Sequence, residues 1–255
     1  PAAYLDLFFS LPSEAHAMLV RDHLAATLPG GVSVLAALEY FGPHCRRYMD
    51  HAAQFFLDDN PVGLYVQVPL DERTADDAAA AWYERLTAPP CKVSDTALIV
   101  MDTPRTRQLF FEARHSLPSH TLEIVQQRGT VAILTDAVVP AARFAAFMDD
   151  THTRIQRAGL EYTVFGHFGD CHVHFTLLPA RAQLDCAYRI YDEIMRTAAA
   201  LGGVYSGEHG TGKRKRNDFL ACYGAGAVRD VARAKAALDP LCLLNRGVVI
   251  PPPET

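Results

Sequence analysis

Tyr4-Leu5-Asp6-Leu7-Phe8-Phe9-Ser10-Leu11-Pro12-Ser13-Glu14-Ala15-His16 decides how the 255-residue chain is to be read. Residues 4–10 carry the aromatic and aliphatic side chains that suit a pleated strand, and Ser10-Leu11-Pro12 stops the run. Ser13-Glu14-Ala15-His16 then opens a helix, with apolar residues at helical spacing through about Leu28 and Gly30-Gly31 as terminator. Outward from this pair the pattern continues. Val32–Phe41 predicts a second strand, 43–57 a polar helical stretch, and Asp58-Asp59-Asn60-Pro61 a turn. Gly63–Pro69 alternates as a strand does, Asp71–Leu86 is an alanine-rich helix, and a run near Thr96–Met101 closes the unit. The order β-α-β-β-α-β predicts an α+β fold, an antiparallel sheet of ferredoxin-like units flanked by helices.

A second series follows with no low-complexity linker, so no domain boundary is drawn. Thr103–Arg128 has helical composition interrupted near Pro118. Thr130–Val139 reads as a strand ending at Pro140, and Ala141–Arg157 as an amphipathic helix. Glu161–Leu178 reads as a strand, and Leu184–Leu201 as a helix ending at Gly202-Gly203. Val204-Tyr205-Ser206 is a short strand, followed by helix up to Asp239-Pro240 and coil over 243–253.

With 24 basic and 29 acidic residues the net charge is −5, which gives no reason to expect nucleic acid as partner. No apolar run approaches the roughly 18 residues of a bilayer span. Six cysteines lie scattered without a CxxC pair, favouring reduced thiols in a cytoplasmic compartment; peripheral membrane association and a homo-oligomer stay open. The chain opens on Pro1 with neither initiator Met nor signal region, and reads as a piece of something longer.

The chemistry concentrates in Gly166-His167-Phe168-Gly169-Asp170-Cys171-His172-Val173-His174 and in Gly207-Glu208-His209-Gly210. On a strand His172 and His174 share a face, whereas His167 has the opposite parity. A bulge or turn at Gly169-Asp170 would reset that parity and let His167 converge with His174. Glu208-His209 sits between two glycines, where the backbone can turn sharply. Two histidines and one carboxylate suit a catalytic divalent metal, with a neighbouring histidine as general base. Histidines merely hydrogen-bonded at strand ends account for the same spacing, and both readings remain open.

Five segments, in order, make the chain resemble the C-terminal substrate domain of FAD-linked oxidases and dehydrogenases acting on D-2-hydroxy acids. This is the family of D-lactate dehydrogenase, D-2-hydroxyglutarate dehydrogenase and the flavin subunit of glycolate oxidase. The segments are Phe111-Glu112-Ala113-Arg114-His115; Leu134-Thr135-Asp136 through Pro140; Gly166-His167-x-Gly169-Asp170-x-x-x-His174; Ser206-Gly207-Glu208-His209-Gly210-Thr211-Gly212 with Lys215; and Ala237-Leu238-Asp239-Pro240 through Asn245-Arg246-Gly247.

The resemblance implies that residues 1–255 form the substrate or cap domain. His167, His174 and Glu208 would hold a divalent metal, zinc by preference. His209 would take the hydroxyl proton while hydride passes to the flavin of FAD, and Arg114 would clamp the substrate carboxylate. Asn245 would lie beside the flavin, and His172 and Thr176 would contact substrate. The chain departs from the family pattern at Cys171-His172, where Gly-Asn is usual, at Thr176, often Asn, and at Arg246, usually proline. Leu134 replaces a lysine found in some members, which favours a small 2-hydroxy acid of the lactate or glycolate type over hydroxyglutarate. The glycine-rich FAD-binding half is not found, so a separate domain or subunit would supply it, with the electron acceptor unassigned. Two alternatives are a metal- or carboxylate-binding module without redox chemistry, and a zinc hydrolase using the same His/His/Glu set. Lys213-Arg214-Lys215-Arg216 reads as a solvated helix start.

Overall fold

The computed structural model describes residues 3–71 and 73–251. Strand β1 (Tyr4–Leu11) is buried along nearly its whole length and alternates sides. Leu5, Leu7, Phe9 and Leu11 enter one core layer and Phe8 the other. Helix α1 (Glu14–Thr27) starts where Ser13 Oγ accepts the His16 N–H at 3.2 Å. Strands β2 (Ala37–Phe41) and β3 (Val62–Pro69), helix α2 (Ala75–Thr87) and strand β4 (Leu98–Val100) complete the first unit. Their spatial order, β4-β1-β3-β2 and antiparallel throughout, is that of the split βαβ motif expected from the sequence.

The second series comprises α3 (Pro104–Gln127), β5 (Ile133–Leu134), β6 (Ala137–Val138), α4 (Ala141–Arg157), β7 (Tyr162–His167), β8 (His172–Leu177), α5 (Leu184–Ala200) and α6 (Arg216–Leu238). Strand β7 pairs with β2 over Glu39–Phe41, and β8 follows, with β5 and β6 on its far side. All eight strands thus form one sheet. Helices α1, α2, α4 and α5 bury one face through residues such as Leu24, Trp82, Phe147 and Met195. The opposite face is covered over β1, β3 and β2 by α3, whose Phe110, Ala113 and Leu117 pack on Phe8, Phe41 and Tyr65. Beyond the reach of α3, that same face carries the histidines of β7 and β8.

Several expectations are corrected. Residues 31–34 form a 3₁₀ turn, because Gly30 and Gly31 both take positive φ, and the strand begins only at Ala37. The stretch 43–57 holds two short 3₁₀ turns, Cys45–Tyr48 and Ala52–Gln54, separated by a left-handed His51. Helix α3 runs unbroken through Pro118; the missing N–H costs one bond, and the buried Leu117 and Thr121 on either side hold the helix to the sheet. Glu161–Leu178 is a hairpin of two strands. Val204 and Ser206 make only isolated bridges, to Val138 and Asp136. The long last helix is kinked at Gly224 (φ 77°, ψ 175°). The expected strand 130–139 is broken at Thr135-Asp136, although the pairing with β8 keeps one register on both sides of the break. Pro1, Ala2, Pro252 and Pro253 lie outside the described residues. Among those described, no helix is long and apolar enough to cross a membrane.

Candidate metal and substrate site

The hairpin makes the histidines converge. His167 pairs directly with His172, and Phe165 with His174, so all three rings share the open face of the sheet. The turn between the strands resets the parity that separated His167 from the others. Arg21, buried on α1, holds that turn by donating from Nε to the Phe168 carbonyl at 2.9 Å. Gly166 allows the close approach of the strands: its φ is +146°, and a Cβ there would lie 2.8 Å from the His172 carbonyl oxygen.

The second half of the site is organised by Asp136, whose side chain is fully buried. It accepts hydrogen bonds from His172 Nε2 at 2.8 Å, Ser206 Oγ at 2.8 Å, Lys215 Nζ at 3.1 Å and the backbone N–H of His209 at 2.9 Å. Burial alone would raise its pKa, but the bonds from His172, the His209 N–H and Ser206, with the Lys215 charge, hold the carboxyl well below the usual range. The break in the strand here has a visible cause. The Phe175 N–H is satisfied by Thr135 Oγ1 at 2.9 Å, which frees the Thr135 carbonyl to face His174 Nδ1 at 3.4 Å. Gly207 lies against His172, where a Cβ would stand 2.8 Å from Nε2. The loop therefore passes close over the rings and delivers Glu208 and His209.

The donor atoms meet at Glu208. Its Oε1 is 3.0 Å from His174 Nε2 and its Oε2 is 3.2 Å from His167 Nε2. The His209 ring stacks on His174, centroids 4.9 Å apart, with Nε2 3.5 Å from Glu208 Oε1. One donor atom each from His167, His172, His174 and Glu208 lies within 4.8 Å of the others, a set that suits a divalent cation. Burial, reinforced by His172 and His209, pushes His174 down to about 4, so its imidazole is neutral, as a ligand must be. His167 behaves differently. Its Nδ1 donates to Glu39 Oε1 at 2.7 Å, and this bond, against burial, holds it up at about 9. His172 commits Nε2 to Asp136, which makes it a brace for the loop.

Arg114, on α3, reaches the cluster through Glu39, with Nη2 3.2 Å from Oε2. Glu39 is 7% exposed. Burial raises its pKa, but the bonds and charges of His167 and Arg114 prevail and keep it lowered. Thr176 is buried two residues beyond His174 on the same face, paired with Leu134 and Thr163. Asn245 stands apart, exposed in the closing coil with φ 44°. That coil touches the loop after the site through the Val249 N–H, which bonds the Gly212 carbonyl at 3.0 Å. A cleft of about 670 Å³ opens beside His209, walled by Leu134, Tyr188, Tyr191 and the basic loop to Lys215. Sequence reasoning missed Glu39 and the structural role of Asp136. The available signal for Glu39 was an acid inside the otherwise apolar strand Ala37-Leu38-Glu39-Tyr40-Phe41.

A family model described as FAD linked oxidases, C-terminal domain, matches residues 23–249. Mitochondrial D-lactate dehydrogenase (cytochrome) of Kluyveromyces lactis is 32% identical over 111 residues, covering 44% of this chain and 19% of that protein. Glycolate oxidase subunit GlcD of Bacillus subtilis is 28% identical over 163 residues, covering 62% of this chain and 33% of that protein. The matched segments thus span a third or less of these relatives. Among solved structures, p-cresol methylhydroxylase with substrate bound superposes with a TM-score of 0.68 at 14% identity, over 99% of this chain and 53% of that one, a likeness of fold. The family match extends over most of the chain and takes in all three histidines of the hairpin, Glu208 and His209: the chain belongs to the C-terminal domain family of FAD-linked oxidases.

Proposed function

We propose that this chain is the substrate domain of an FAD-dependent dehydrogenase that oxidises a D-2-hydroxy acid of the lactate or glycolate type to the 2-oxo acid. The observation that carries the reading is the convergence of His167, His174 and Glu208 on one point, with His209 stacked alongside and Arg114 tethered nearby through Glu39. His167 Nε2, His174 Nε2 and the Glu208 carboxylate would hold a divalent ion, with zinc suited to nitrogen and carboxylate donors. Bound there, the ion supplies Lewis-acid polarisation of the hydroxyl and carboxylate. FAD, held by a separate domain or subunit, supplies the hydride acceptor.

The chain's own residues do the rest. Arg114 uses one guanidinium nitrogen on Glu39 and keeps the remaining N–H groups for a substrate carboxylate, the pairing its fork suits. His209, with 42% of its side chain exposed, would take the hydroxyl proton. Thr176 and His172 line the same face behind the ligands, and Asn245 would lie beside the flavin.

The test is anaerobic flavin bleaching in the protein that includes the flavin-binding part. D-lactate or glycolate should bleach the flavin, and L-lactate should not. His209→Ala should slow bleaching by a factor of about 10²–10⁴. No bleaching by any D-2-hydroxy acid would end this reading.

A further inference from the structure

The structure assigns Glu39 the role of a positioning residue that turns His167 Nε2 toward the ion and is itself locked by Arg114; this rests on the metal reading proposed above. Glu39 sits at the middle of β2, directly opposite His167 on β7. Its two oxygens are divided between two partners. Oε1 accepts from His167 Nδ1 at 2.7 Å, and Oε2 accepts from Arg114 Nη2 at 3.2 Å. A neutral imidazole carries one N–H. When an ion takes the place of the Nε2 proton, the buried carboxylate keeps the remaining proton at Nδ1, so that the Nε2 lone pair binds the ion.

A carboxylate serves both partners with a separate oxygen for each. Arginine only donates, so the oxygen facing it must accept, and His167 must find an acceptor as well. A glutamine in the same place has one oxygen. If that oxygen turns to Arg114, the amide N–H points at His167 Nδ1 and shifts the ring proton to Nε2, where it blocks a ligand. If it turns to His167, the amide opposes the donors of Arg114. Partners of this kind behind a ligating histidine typically change metal affinity 10–100-fold when replaced.

Zinc titrated calorimetrically into the chain and its variants at one pH tests the assignment. Glu39→Gln should weaken zinc 10–100-fold with the far-UV circular dichroism unchanged. In the zinc-bound protein the His167 Nδ1 proton, sheltered against the carboxylate, should give a slowly exchanging imidazole N–H resonance that Glu39→Gln loses. Should Glu39→Gln not fold, Glu39→Asp, which keeps the charge one methylene short, decides instead: weakened zinc supports the assignment and unchanged zinc overturns it. Wild-type affinity together with a retained N–H resonance in Glu39→Gln overturns the role of Glu39 and leaves the metal reading standing. Failure of the wild-type chain to bind zinc removes the metal reading itself, and Glu39's role with it.

Discussion

Glu208 carries the site's ion-binding potential as a single residue, because its two oxygens face two different imidazoles at 3.0 and 3.2 Å. His174 is the complementary case, a ring already neutral and aimed by the Thr135 carbonyl. Each is one of the three proposed ligands, the number a catalytic zinc site uses. His174→Ala and Glu208→Ala should therefore each lose bound metal, as measured by elemental analysis of protein loaded with zinc. Full retention in either variant would remove that residue as a ligand. The remaining histidine, His172, sits near the middle of the sequence motif, yet its Nε2 is bonded to Asp136. Spacing along a strand shows which side chains share a face, but not which partner each will find.

At the scale of elements, the reading from sequence held in several places where one local signal decided the outcome. The helix start at Ser13, the β-rich apolar run of β1, the alternation in β3 and the amphipathic α4 are such cases. It failed at residues 31–34, where Gly30 and Gly31 take positive φ, and where a distant partner decided. Nothing near residue 135 shows that Thr135 Oγ1 will replace its own carbonyl in the ladder, and nothing near residue 39 shows that β2 will meet β7. Glu161, just before β7, illustrates such a remote partnership on the other side of the sheet's end. It receives the Tyr48 hydroxyl and the Arg128 guanidinium, with Arg47 Nη1 at 3.1 Å, and so links the loop at 45–48 and the C-terminus of α3 to the hairpin. Burial opposes its charge, but these partners win and its pKa lies below the usual glutamate value near 4.5. A depressed carboxyl stabilises the fold above its unfolded pKa, and that stabilisation is lost as pH falls through the folded value. The group is partly exposed and screened, so its contribution is on the order of 1 kcal/mol or less. Glu161→Gln should lower the urea midpoint at pH 7 and match wild type near pH 3. A gap that stays constant from pH 7 to pH 3 would assign the effect to packing.

Across the whole molecule, the sheet is two units laid edge to edge, and the seam between them is short. Strands β2 and β7 share three residue pairs, Glu39–His167, Tyr40–Gly166 and Phe41–Phe165. The seam is extended at its ends by the Gly42 N–H to the Val164 carbonyl and the Phe168 N–H to the Leu38 carbonyl, each at 2.8 Å. By contrast, β1 and β3 share eight pairs within the first unit. The side chains of Glu39 and His167 cross this seam on the open face, and the proposed ion would lie just beyond them. An ion there would act as a clasp. Amides at the seam exchange through partial openings of the fold, and a ligand that binds only the closed form slows them by mass action. Zinc should therefore slow hydrogen exchange at Gly42 and Phe168 more than at the β1–β3 ladder, as read by NMR. Equal slowing everywhere would place the opening outside the seam. The same short seam then has a mechanical meaning: an ion bound at the histidine site would fasten one half of the sheet to the other, where backbone pairing alone is short.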